Sequence, residues 1–197
     1  MVNPAKFDRQ QVVEQAMLLF WQKGFHATSM RHLQQAVDLR PGSLYATFGS
    51  KEGLFREALQ QYAAHGERLL AQLHAQEGSA LRALQLFFHQ AIIEQGGRAP
   101  SRMCLLAKTV AELTDANAEL LAEARRQLKR MEQAFLRLLQ QAQSDGELAL
   151  GCLPEQLAPF LQMQMMGLRA YMQMSCDPAA GERMLQQVFM PLRVVPS

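Results

Sequence analysis

Apolar residues recur three and four positions apart through almost the whole chain, and two-residue alternation never lasts beyond a few positions. Between Asp8 and Gly24 the stripe is Val12, Val13, Ala16, Leu19 and Phe20 with Met17 at its edge, which predicts a first helix. Asp8 suits its N-cap, Gln11 three residues on makes a capping-box partner, and Gly24 suits the stop. Thr28 and Ser29 offer caps for a short second helix to about Ala36, with Met30, Leu33 and Val37 inward. Asp38 falls where the chain must reverse. A third helix, barely two turns long, runs from Arg40 or Pro41 to Thr47 or Phe48, opened by proline and closed by Gly49. Ser50 then caps a fourth helix with Leu54, Phe55, Ala58, Leu59 and Tyr62 on one side, continuing past Ala71.

Beyond residue 76 the pattern changes to longer helices with short links. One is predicted between Gly78 and Gly96, one over the segment RAPSRMCLLAKTVAEL, and a long charged one from Asp115 to Gln143. Pro154 opens a helix to about Ser175, and CDPAAGERMLQQVFMPL holds a shorter last one. The helix after Pro154 carries five of the twelve methionines, Met163, Met165, Met166, Met172 and Met174, beside Leu157, Leu161 and Leu168. Apolar residues nearly all round predict burial on both sides. The expected fold is all-α with about nine helices.

At 197 residues the chain can bury a real core, and its 49% hydrophobic content excludes disorder. Three widely spaced cysteines, Cys104, Cys152 and Cys176, suit neither a disulfide framework nor a metal knot. No secretory leader or membrane helix is read, so a cytoplasmic protein with no membrane partner is expected. Residues 1–60 hold seven of the 20 Lys and Arg against five of the 18 Asp and Glu, so the whole excess of +2 lies at that end. No nucleophile elbow, phosphate loop, dinucleotide fingerprint or zinc-protease motif is present, and the five histidines have no metal-like spacing. No enzyme activity, metal or cofactor is expected.

Helices one to three have the lengths of a helix-turn-helix: a support helix, a short helix, a tight turn and a short recognition helix. Gly42 lets backbone N–H groups approach phosphate oxygens, and Leu44 with Phe48 would anchor the inner face. Tyr45 and Thr47 then point elsewhere, Tyr45 with a hydroxyl suited to a phosphate. Lys51 puts a cation at the positive end of a helix, a conflict that a bound anion would resolve. Each of these residues alone has an ordinary reading: a half-buried aromatic, a solvated charge, a turn.

Residues from about Asp8 to Leu59 resemble the DNA-binding domain of TetR/AcrR-type repressors, most specifically in the fourteen positions PGSLYATFGSKEGL. The resemblance implies a homodimer that binds a palindromic operator in double-stranded DNA and releases it when a small-molecule inducer or electrophile binds. It implies a DNA-binding domain over 1–52 and a ligand-binding and dimerisation domain over 53–197, with the two C-terminal helices forming the dimer bundle. By position, Thr28, Arg40, Pro41, Gly42, Ser43, Tyr45, Thr47 and Lys51 match the family's DNA-contacting residues; Ser29 and Arg31 complete the expected DNA-binding set. Arg40 serves as base reader or as phosphate clamp. Asp38 replaces the family's usual glycine, and Ala46-Thr47 stand where bulkier aromatic or His residues are frequent. A ligand cavity would sit among helices four to eight, lined by Phe88, Met103, Cys104, Val110, Met131 and Phe135, with Phe87 beside them. Cys104 follows Arg102 near a helix start, similar to the sensing cysteine of an electrophile-responsive branch; the other reading is an inert buried thiol. The competing function is a helical small-molecule carrier or enzyme whose N-terminal unit is only structural.

Overall fold

Capping chemistry and apolar stripes divide the chain into nine α-helices in a computed structural model that describes residues 8–37, 41–94, 99–175 and 177–194. They are α1 (Arg9–Lys23), α2 (Met30–Val37), α3 (Pro41–Phe48), α4 (Lys51–Glu77), α5 (Ala80–His89), α6 (Leu105–Glu112), α7 (Ala118–Ser144), α8 (Pro154–Ser175) and α9 (Pro178–Phe189). Among the described residues the only extended pairing is a single antiparallel bridge between Leu148 and Arg193. The fold is all-α.

Local chemistry accounts for the ends. The Asp8 carboxylate accepts from the Gln10 and Gln11 N–H groups, and Gly24 closes α1 with φ of 87°, a left-handed value that favours glycine. Ser50 accepts from the Gly53 N–H at 3.1 Å, opening α4. The Ser79 hydroxyl caps α5, and the Glu147 carboxylate reaches across to accept from the Ala80 and Leu81 N–H groups, placing an anion at a helix N-terminus.

Two predicted helices differ from those observed. The one expected between Gly78 and Gly96 is α5 followed by a single π-helical turn, Gln90–Glu94. The one expected over RAPSRMCLLAKTVAEL begins only at Leu105, with Cys104 as its N-cap. Pro100 and the Ser101 hydroxyl, which accepts from the Met103 N–H, hold residues 99–104 out of the helix.

Buried residues form two clusters. One joins α1, α2, α3, the first half of α4, α6 and the start of α7, around Phe20, Phe25 and Phe55, whose rings meet at 4.6 and 5.0 Å. The other joins the rest of α4 with α5, α7, α8 and α9 around Phe88, Phe135 and Phe189. Helices α4 and α7 run through both, so neither cluster closes without them. Helix α8 departs from its expected burial. Met165 and Met172 are in the core, whereas Phe160, Met163 and Met174 are exposed, the last at 77%.

Candidate functional site

The short helix α3 owes its position to two side chains. Leu44 and Phe48, one turn apart, are buried, so the intervening residues must turn outward. Gly42, Ser43, Tyr45 and Ala46 are exposed, Tyr45 by 50%. A Cβ added at Gly42 would meet nothing within 4 Å, so this end of α3 is open to a close approach from outside. Thr47 is half-buried, and its hydroxyl donates to the Ser43 carbonyl at 2.8 Å.

Helix α2 stands beside it, entered through a reciprocal pair. The His32 N–H donates to the Ser29 hydroxyl and the Ser29 N–H to His32 Nδ1, both at 3.2 Å, with His in the place Glu usually takes. Ser29 and Arg31 are exposed. Asp38, Arg40 and the Pro41 side chain lie outside the described residues, as does Cys176.

Two members of the expected DNA-binding set turn inward. The Thr28 side chain is fully buried, and its hydroxyl donates to the Gly24 carbonyl at 2.6 Å. Lys51 Nζ donates to the Phe25 and Thr28 carbonyls, each at 2.9 Å, and lies 4.1 Å from the centre of the Phe25 ring. Desolvation lowers its pKa, while Glu52 and Glu112 oppose the shift. The cation at the start of α4 is thus stabilised by carbonyls and a ring of its own chain. In the chain by itself the charge conflict that a bound anion would resolve is met from within, because the flexible lysine stem reaches back to the turn after α1.

Helix α6 grips the same turn from the other side. The Glu112 carboxylate accepts from the Phe25 N–H at 3.0 Å and the His26 N–H at 2.7 Å. Lys108 Nζ donates to the Trp21 and Gln22 carbonyls at the end of α1. The Trp21 indole N–H donates to the Met103 carbonyl at 2.6 Å. The end of α1 and the entry to α2 are therefore held by α6 and the segment leading into it.

That segment also walls a cavity of about 550 Å³, within the range of small-molecule sites. Cys104, Met131 and Phe135 line it as expected. Three expected residues do not. Phe88 is in the core between Phe135 and Phe189, Val110 packs into the cluster around Phe20, and Met103 contributes its carbonyl to Trp21. Sequence reasoning missed Met17, Leu18 and Trp21 of α1, Tyr62 of α4 and Arg169 of α8, all in the lining. One signal for Arg169 was present: an arginine four positions after Met165 on the apolar stripe of α8.

Tyr62 brings two polar groups of the cavity together, Arg169 and Cys104. Its ring packs edge-on to Trp21 at 5.1 Å, and its hydroxyl lies 3.3 Å from an Arg169 terminal nitrogen. Burial pushes the phenol well above the ordinary tyrosine range, Arg169 pulls it back, and the adjoining Cys104 thiol adds to the rise.

Comparison with known proteins places this geometry. Residues 12–58 match the family model described as bacterial regulatory proteins, tetR family, and residues 80–188 match the one described as tetracyclin repressor-like, C-terminal domain. The HTH-type transcriptional repressor ComR of Escherichia coli K12 is 30% identical over 198 residues, covering 98% of this chain and 91% of that protein. The repressor BdcR of the same strain is 44% identical over 60 residues, 30% of each chain. Among solved structures, a cysteine mutant of the TetR family regulator CifR, complexed with 26-base-pair double-strand operator DNA, superposes with a TM-score of 0.84. It is 26% identical and covers 96% of this chain and 99% of that one.

Proposed function

The chain belongs to the tetR family of bacterial regulatory proteins, and from that premise we propose that it is a transcriptional repressor released from its operator by a small molecule. It acts as a homodimer on a palindromic operator, with residues 1–52 as the DNA-binding domain and 53–197 as the effector and dimerisation domain. Repression is supported by the relatives ComR and BdcR, both named as repressors, and DNA as the target by the operator-bound CifR structure.

Gly42, Ser43, Tyr45 and Ala46 form the outward face of α3 that enters the major groove, and Tyr45 donates to a phosphate. Ser29 and Arg31 of α2 contact the backbone. Thr28 and Lys51 act one step back: they fix the turn from which α2 starts. The observation that carries the account is the double duty of α1. Phe20 packs against Phe55 in the core beneath α3, while Met17, Leu18 and Trp21 wall the cavity. A molecule entering the cavity pushes on α1 directly, and on α6 through Cys104 and Leu106. Because Lys108 and Glu112 tie α6 to the ends of α1 and α2, displacement of either helix re-aims α3. Two such helices in a dimer must meet major grooves about 34 Å apart, so a small re-aiming releases the DNA.

The dimer face is the exposed stripe of α8, Phe160, Met163, Gly167, Ala170 and Met174, with α9 beside it. Gel-shift titration with duplex from upstream of the chain's own gene, at rising salt, tests the reading. A sequence-specific complex that weakens with salt is expected; no specific complex at any salt would favour a carrier with a merely structural N-terminal unit.

A further inference from the structure

Arg169 sits on the inward side of α8, is only 6% exposed and lines the cavity. Its Nε donates to the Arg102 carbonyl at 2.6 Å, and one terminal nitrogen reaches the Tyr62 hydroxyl at 3.3 Å. The other terminal nitrogen is buried without an acceptor. Among the described residues no carboxylate pairs with this guanidinium. Of the two acidic residues in the lining, Glu94 bonds His89 and Glu14 is exposed. The Trp21 ring, 5.6 Å from the guanidinium carbon, is its one π partner among the described residues.

Arginine does not shed its proton in a protein, so burial cannot neutralise it as it would a lysine. A buried cation with an unused donor is costly unless something pairs with it. Most of the remaining lining is apolar, with Leu69, Phe87, Met131, Phe135 and Met165 in the walls, and His65 and Gln162 are its uncharged polar members. We infer that the effector is a carboxylate with an apolar tail, its carboxylate accepting from Arg169 and the Tyr62 hydroxyl, its tail filling the space between Trp21 and Phe135. This rests on the reading of the cavity as the regulator's effector site. The Tyr62 phenol is held protonated by burial and is therefore a donor to a carboxylate. The fork of the guanidinium matches a carboxylate better than a single charge would.

Trp21 is the chain's one tryptophan and lines the cavity, so its fluorescence can report binding there. Two matched pairs serve as probes on the full-length protein: decanoate against decan-1-ol, and 4-phenylbutyrate against 4-phenylbutan-1-ol. Each acid is expected to bind about tenfold or more tighter than its alcohol, the difference expected of a charged hydrogen bond. Arg169→Met should abolish that preference, and Arg169→Lys should keep part of it, with thermal melts recorded for both variants. If Arg169→Met does not fold, the wild-type comparison and Arg169→Lys remain decisive. Equal binding of acid and alcohol, a preference that survives Arg169→Met, or no saturable change with either acid overturns the inference. Operator binding of the same preparations is scored without probe. Its loss alongside an intact carboxylate preference counts against the regulatory reading alone; the reverse pattern counts against the carboxylate alone.

Discussion

Lys51 ties the turn after α1 through two carbonyls, so its removal acts on the fold before it acts on DNA. Lys51→Ala is expected to cost about 1 kcal/mol in stability, the scale of a partly exposed charged hydrogen bond. It should weaken operator binding without changing the slope of log affinity against log salt. A slope flatter by about one unit would instead make Lys51 a direct phosphate contact. Tyr45 is the opposite case, half exposed and facing away from the core. Tyr45→Phe should leave the melting temperature unchanged and lower affinity for specific and scrambled duplex alike, by about 1 kcal/mol. Tyr62 gives a pH dependence. Once unfolded it ionises near pH 10, whereas the folded chain keeps its proton to higher pH. The folded state then binds more protons, and stability falls as pH rises above about 10. In an alkaline absorbance titration, wild type and Tyr62→Phe should coincide while folded and separate only on unfolding.

In the proposed account helix α6 carries the coupling, and its two ties can be cut separately. Glu112→Ala leaves the Phe25 and His26 N–H groups without their carboxylate. These two amides should then exchange with solvent faster while those of α7 stay protected, which hydrogen-exchange NMR resolves. Unchanged exchange at Phe25 and His26 would mean that α6 does not hold this turn. Nothing local in the sequence announces that pairing, since Glu112 and His26 are 86 residues apart. By contrast α1, α3 and α8 were legible because caps, a Pro-Gly opening and apolar spacing act over a few residues. The inner side of α3 was legible for the same reason, with Leu44 and Phe48 one turn apart. The cavity was only half legible. Met131 and Phe135 sit on a readable stripe of α7, but α1 enters the wall through tertiary packing that no periodicity records. Lys51 was only partly legible, because its charge suits a phosphate as well as it suits two carbonyls, and the carbonyls come from a turn more than 20 residues away.

For the whole molecule, the proposed function requires a second copy that places its α3 at the matching distance. The exposed stripe of α8 is apolar and contains Gly167, where an added Cβ would meet nothing in the chain. Gly167→Arg is therefore expected to leave the protomer fold intact, with helix propensity about 1 kcal/mol better than glycine. Sedimentation should nevertheless shift from dimer to monomer, and operator affinity should fall with it. A dimer that survives this substitution would place the interface elsewhere. The central claim, a dimeric repressor reading its operator through the outward face of α3, is tested most directly by fluorescence anisotropy with labelled upstream duplex and a scrambled duplex of equal length. Specific, saturable binding at two chains per duplex, falling with salt and lost in Gly167→Arg, is the predicted result. Equal affinity for both duplexes at every salt concentration would contradict it.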